Sequence, residues 1–250
     1  MRTNSLKAGL LGVVAFSGFV GIAQAEDTPW GPISAGVSLT SDYRFRGVSQ
    51  SDRDAAVQGW VQYDHASGFF ANVWASNVDF TDYGDSDSSV EVDLTAGYNF
   101  KIGGDTNASA KVVYYWYPDA SSGLDYNYWE LIGGLQHTFG KFNVTAEVAY
   151  SPDLFGGADS GWALTGGSSV PVMDSFLFFT GGLEASGHVG YQWADKGVDY
   201  LYYDIGATAK WEAFSFDVRW VDTDLNTSDC GSVNNCDGGI VLSLTAALPG

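Results

Sequence analysis

Residues 36–50 read GVSLTSDYRFRGVSQ. Val37, Leu39, Tyr43 and Phe45 alternate with Thr40, Asp42, Arg44 and Arg46, which is the two-residue period of a β-strand. One face suits hydrocarbon and the other water. A soluble sandwich strand shows the same alternation. Two arginines and an aspartate on one short face, with aromatics ending the other, also fit a strand of a transmembrane barrel. The pattern predicts one strand, with Tyr43 and Phe45 on the apolar face and Asp42, Arg44 and Arg46 on the polar one.

Upstream, residues 1–25 read as a secretory signal peptide. Arg2 and Lys7 supply positive charge, residues 8–22 the apolar run, and Ala23-Gln24-Ala25 the small-residue cleavage site. A membrane anchor would need about 20 apolar residues without an adjoining cleavage site. The domain expected to fold is 26–250. Removing Arg2 and Lys7 from the eleven Lys and Arg leaves nine against thirty Asp and Glu, a net charge of −21. That surplus argues against nucleic acid and against an anionic inner leaflet as partners. No stretch beyond residue 25 approaches the length of a transmembrane helix, so export ends in the periplasm, outside the cell or in the outer membrane as a barrel. Cys230 and Cys236 lie close together in a polar stretch of an exported chain, where oxidation to a disulfide is expected. Two thiols at this spacing with no nearby histidine make an incomplete zinc site, and no metal or cofactor is expected.

Downstream, alternation recurs in eleven further segments. Val90, Val92, Leu94, Ala96, Tyr98 and Phe100 face one way, and Glu91, Asp93, Thr95 and Asn99 the other. Residues 142–150 set Phe142, Val144, Ala146, Val148 and Tyr150 against Asn143, Thr145 and Glu147. Residues 171–181 are apolar without clear alternation. Twelve strands in all predict an all-β fold, a transmembrane antiparallel up-and-down barrel. With the N-terminus periplasmic, the even-numbered joints, such as 64–68, 139–141 and 210–213, are short. The odd-numbered ones are longer and acidic, which matches the short inner turns and long outer loops of outer-membrane barrels. No assigned strand carries Asp, Glu, Lys or Arg on its apolar face. The opposite face holds twelve charges: Asp42, Arg44, Arg46, Glu91, Asp93, Lys111, Glu130, Glu147, Glu184, Asp204, Asp217 and Arg219. That segregation, with the loop asymmetry and the export signal, decides for a barrel in the outer membrane of a Gram-negative bacterium.

Leu39-Thr40-Ser41-Asp42-Tyr43, Phe45-Arg46-Gly47, Ser49-Gln50 and Gln58-Gly59 closely resemble the opening signature of the TorF family of bacterial outer-membrane porins, formerly described as an unknown-function domain. Residues 200–204 and 221–225, followed by the paired cysteines, are also similar to that family, so the resemblance spans the mature chain. It implies a porin function. Residues 237–244 resemble the assembly signal of outer-membrane barrels, although the chain ends Leu248-Pro249-Gly250 where such proteins end on an aromatic residue. The partners this implies are the barrel-assembly machinery, outer-membrane lipid and lipopolysaccharide, and small solutes.

Candidate chemistry is sparse. His188 shares a face with Ser186 and Glu184, and some outer-membrane hydrolases place serine and histidine on a barrel strand. Residues two apart on one strand lie about 6.6 Å apart at Cα, beyond the reach a nucleophile needs from its base. Polar lining is the simpler role, so the chain is read as no enzyme. Asp79, Asp82, Asp85 and Asp87 crowd one loop but lack the glycine turn and closing glutamate of a calcium loop, and read as solvated. The expected function is passive diffusion of small solutes through a narrow channel lined by the twelve charges and His188. The alternatives are a plugged structural or adhesion barrel and a hydrolase. Eight of the twelve charges are acidic, so cations are the expected preference, opposed by a basic stripe of Arg44, Arg46, Arg219 and Lys111. N-terminal sequencing of the protein from membranes is expected to begin at Glu26, and an intact Met1 would overturn the export reading.

Overall fold

The computed structural model describes residues 33–248 apart from 86, 122, 178, 179 and 232; the expected signal peptide and cleavage site lie outside them. The strands are β1 (Ile33–Thr40), β2 (Arg44–Phe45), β3 (Val48–Ser49), β4 (Ala56–Asp64), β5 (Phe69–Asn77), β6 (Val90–Gly103), β7 (Thr106–Trp116), β8 (Tyr128–Phe139), β9 (Phe142–Ser151), β10 (Gly161–Met173), β11 (Leu183–Ala194), β12 (Tyr200–Trp211), β13 (Phe214–Thr223) and β14 (Gly239–Leu248). All but β2 and β3 form one closed antiparallel barrel of twelve strands among the described residues. Each strand pairs with its sequence neighbour, and β1 closes the ring against β14, with Leu39 opposite Leu244.

The parity read from sequence holds on the wall. Val37, Val57, Val73, Leu94, Val112, Leu131, Val148, Leu164, Val189, Ile205, Val218 and Leu242 are exposed on the outside. At the long-loop end this band is bordered by Trp116, Trp129, Trp162, Trp193 and Trp220, and at the other end by Tyr63, Phe69, Phe139, Phe142, Trp211 and Phe214. Such paired girdles are where amphipathic rings sit at the two membrane interfaces. The strands run slightly further than the alternation indicates. Asp222, at the end of β13, accordingly reaches the outer face at the rim, where it accepts a hydrogen bond from the Tyr203 hydroxyl at 3.0 Å.

Connections alternate in length with two departures. Residues 104–105, 140–141 and 212–213 are tight turns at one end, while 41–55, 78–89, 117–127 and 224–238 are long loops at the other. The β11–β12 joint at the long-loop end is short, 195–199, and the β10–β11 joint at the other end is long, 174–182. The ambiguous stretch from 171 now has a cause. Pro171 has no N–H to give the ladder, the register slips between Pro171 and Met173, and Val172 and Met173 overhang the barrel end, both exposed.

The largest correction concerns residues 41–46. The wall strand stops at Thr40, and the segment expected to continue it turns into the lumen. Tyr43 is 3% exposed, so it lies within the barrel and not on its apolar exterior, and Phe45 follows it inward to meet Tyr115 edge to face.

Val73 lies mid-strand on the exterior at 48% exposure. Val73→Arg is expected to destabilise the barrel by about 2–4 kcal/mol in urea-driven unfolding from phospholipid vesicles. Equal stability would mean that this face does not meet hydrocarbon.

Candidate functional site

The site grows from the turn chemistry of residues 40–51. Ser41 makes the last rung on the wall, its N–H donating to the Leu242 carbonyl at 2.9 Å and its hydroxyl accepting from Leu242 N–H at 3.0 Å. Asp42 then holds both arms of a small hairpin, accepting from Arg44 Nε at 2.6 Å and from the Ser49 hydroxyl at 2.6 Å. Arg44 pairs with Ser49 and Phe45 with Val48. That leaves Arg46 and Gly47 as a two-residue loop with φ of 46° and 86°. Positive φ at both central residues is the tight hairpin turn that matches strand twist. Glycine at 47 is required twice over, because a Cβ there would also collide with the Thr223 side chain.

This hairpin spans the lumen. Tyr43 packs on Trp74 of β5 at 5.2 Å between ring centroids, and Phe45 on Tyr115 of β7 at 5.7 Å. At the tip, Gly47 lies against Tyr202 and Thr223. Arg46 reaches β8 and β11: both its Nη atoms donate to Glu130, at 2.8 Å each, and Nη1 also meets Gln192 Oε1 at 2.8 Å. The fork geometry of guanidinium on carboxylate is what makes arginine suited to this reach. Both side chains are almost fully buried.

The remaining charges cluster on the wall. Lys111 and Glu147 lie 3.2 Å apart. Arg219 bonds Asp204 and, at 3.2 Å, Asp217, and donates to the Ser186 hydroxyl at 2.9 Å. His188 Nδ1 faces Asp204 at 2.9 Å, so Ser186 and His188 are each engaged by the Arg219–Asp204 group. Lys210, which the sequence reading did not include, approaches Glu184 at 4.0 Å. Glu91 accepts the Tyr117 hydroxyl at 2.8 Å through Oε1 and lies beside the Tyr43 hydroxyl, while Asp93 Oδ1 is buried with no hydrogen-bond partner among the described residues. The expected basic stripe does not form, because Arg44 and Arg46 leave the wall with the hairpin and bond Asp42 and Glu130.

Wall glycines make room for these long side chains. A Cβ at Gly36 would strike the ring of Trp60, its partner on β4, and one at Gly190 the ring of Tyr202, its partner on β12. Each ring lies flat across the neighbouring strand.

Over the hairpin, the long loops contribute an aromatic cluster. Phe80, Tyr117, Tyr126 and Phe155 pack mutually, the last two stacked at 4.2 Å between centroids. Asp85, expected to be solvated, is instead buried. Hydrogen bonds from the Ser88 hydroxyl, the Asp87 N–H and the Ser121 hydroxyl hold its carboxyl below the usual carboxylate range. In the loop that joins β13 to β14, Cys230 and Cys236 form a disulfide with their Cα atoms 6.3 Å apart.

Gln192 and Lys210 carry signals that parity alone supplies: each continues the inward series of its strand beyond the clear alternation. The contact of residue 46 with residue 130 has no such signal, because parity says nothing about a segment that leaves the wall.

Removing one partner of a buried ion pair strands the other. Glu130→Ala is expected to cost about 3–5 kcal/mol in unfolding, and the double change Glu130→Leu with Arg46→Met far less. Equal costs would show that the pair does not hold the hairpin.

The fold is similar to that of the solved KdgM porin, with a TM-score of 0.55 at 10% identity over 86% of this chain and 97% of that one, a porin also solved in complex with disordered oligogalacturonate. The NanC porin gives 0.55 at 8% identity, over 87% and 99%. At these identities the likeness is one of fold. No curated protein matches the sequence. Residues 23–246 match the profile of a family described as a bacterial protein of unknown function, Gcw_chp, and the chain belongs to that family.

Proposed function

We propose that this chain is an outer-membrane channel for passive diffusion of small solutes, with no chemical step and a preference for cations. The observation that carries the reading is the division of the closed wall: an apolar exterior between two aromatic rims, with the charges turned inside. Export by residues 1–25, an outer-membrane barrel domain over 26–250 and the porin role implied by the TorF resemblance belong to the same proposal. So do the surroundings of lipid and lipopolysaccharide and assembly by the barrel-assembly machinery. The long loops then face outward and the tight turns the periplasm, and the Cys230–Cys236 loop stands at the cell surface. Asp42, Arg44, Arg46, Glu91, Asp93, Lys111, Glu130, Glu147, Glu184, His188, Asp204, Asp217 and Arg219 line the path.

The preference for cations rests on which charges are left over. Asp42, Glu130, Glu147 and Glu184 each face a basic side chain, and Asp204 and Asp217 share Arg219. Among the described residues, no basic side chain pairs with Glu91 or Asp93. These two neighbours on one face of β6, with the one charge that Arg219 leaves uncancelled on Asp204 and Asp217, are therefore the acidic surplus of the lumen wall. The oligogalacturonate held by KdgM is a chain of acid sugars, and this surplus disfavours carrying that solute over.

Planar-bilayer recordings in a potassium chloride gradient decide the matter. Cation-selective reversal potentials are expected at low salt, fading toward 1 M, where the screening length is about 3 Å. Glu91→Gln with Asp93→Asn is expected to remove most of the selectivity. Anion selectivity at low salt would overturn the assignment of the surplus, and complete absence of unitary steps would overturn the channel.

A further inference from the structure

The hairpin of residues 41–51 is an excursion that the wall does not need. β1 and β4 pair without interruption up to Thr40 opposite Ala56, so the ladder is complete at the base of the loop and residues 41–55 are tethered at two adjacent points. Within the excursion only two residue pairs form a ladder. Two of its buried donors, Arg44 Nη2 and Arg46 Nε, have no hydrogen-bond partner, and water would satisfy both if the hairpin moved out.

Besides the Arg46 latch, the packing of Tyr43 and Phe45, and the bond from the Asp79 N–H to the Gln50 carbonyl at 2.8 Å, three residues of the excursion are held by one loop. Arg44 Nη1 donates to the carbonyls of Asn235 at 3.1 Å and Asp237 at 3.0 Å. Arg53 Nη1 donates to those of Asn234 at 3.0 Å and Asp237 at 3.1 Å. The Ser49 N–H donates to the Asn235 carbonyl at 2.8 Å. All these acceptors belong to the loop between β13 and β14, on either side of fully buried Cys236. That stretch has no ladder of its own to fix its carbonyls. Among the described residues its fixed points include the Cys230–Cys236 disulfide, the bond from the Thr223 hydroxyl to the Cys236 carbonyl at 3.1 Å and the bond from the Asp237 N–H to the Asn234 carbonyl at 3.0 Å.

We propose that the disulfide-closed loop is a strap that holds the first loop inside the barrel, and that the strapped hairpin is a gate whose release widens the lumen. The strap acts on the rim side of the hairpin, through Arg44, Ser49 and Arg53. Arg46 latches the tip to Glu130 and Gln192 on the far wall. Loosening the strap frees one side of the gate and leaves the barrel ladder intact. The proposal rests on the channel reading above and adds its regulation.

The test compares four full-length proteins refolded into planar bilayers: wild type, Cys230→Ser with Cys236→Ser, Arg53→Ala, and a chain in which residues 43–50 are replaced by a short Gly-Ser link. Arg53→Ala removes two strap bonds at a half-buried position and touches neither the disulfide nor the buried pairs, so it decides the matter if the cysteine variant does not fold. Folding of each is checked by the heat-dependent gel shift of an intact barrel. Expected are a several-fold rise in the time spent at the larger conductance for both strap variants, and a permanently large conductance for the chain without the hairpin. If the hairpin-less chain conducts strongly and both strap variants behave as wild type, the strap is overturned and the channel stands. If the hairpin-less chain folds and passes no current, channel and gate fall together.

Discussion

Closure of the ladder between β1 and β14 is the constraint from which the other features follow. A closed ring has no edge, so along the paired wall the N–H and carbonyl groups find partners on neighbouring strands, which a membrane interior demands. Closure also fixes parity. Once the register of Leu39 against Leu244 is set, alternate residues of every strand must face outward, and a slip by one would turn the whole charged set toward lipid. The complete absence of Asp, Glu, Lys and Arg from the mid-strand exterior is the sequence's response to that demand.

Parity also forces many polar side chains into a confined interior, where each must find a partner. Twelve strands enclose a lumen too wide for wall side chains to fill alone and narrow enough for long ones to meet across it. Two solutions appear together. Wall residues lie flat across inward glycines, as Tyr202 does over Gly190, and a loop enters to fill the rest. From the hairpin, Tyr43 and Phe45 add aromatic contacts to Trp74 and Tyr115, and Arg46 supplies the ionic partner of Glu130.

The legible and illegible parts of the chain divide along the same line. Strand parity is local, so the outward set, the inward charges and the number of strands could be read from alternation. Residues 36–50 mislead because alternation continues past the point where the chain leaves the wall. Tyr43 and Phe45 keep the spacing of Leu39, yet they answer to the lumen. The cue was present in Arg46-Gly47, a pair able to make a tight turn, but non-glycine residues adopt positive φ too seldom for position 46 to announce it. The ambiguity from 171 had a plain cause in Pro171. Which residue reaches which across the barrel was not legible at all, because Arg46 and Glu130 are brought together by closure and by no local pattern.

Pairing also changes what the charge count means. Eight acidic and four basic residues in the inward set suggest a diffuse negative interior, but a charge satisfied at short range contributes little field beyond its partner. Arg219 offsets one of the two charges of Asp204 and Asp217, Arg44 pairs with Asp42, Arg46 with Glu130 and Lys111 with Glu147, and Lys210 offsets Glu184 at longer reach. What remains is Glu91 and Asp93, two residues apart on β6, and one charge in the group of Asp204, Asp217 and Arg219. Within the inward set the unpaired charge is therefore confined to these two places on the wall, and is smaller than the eight acidic residues suggest.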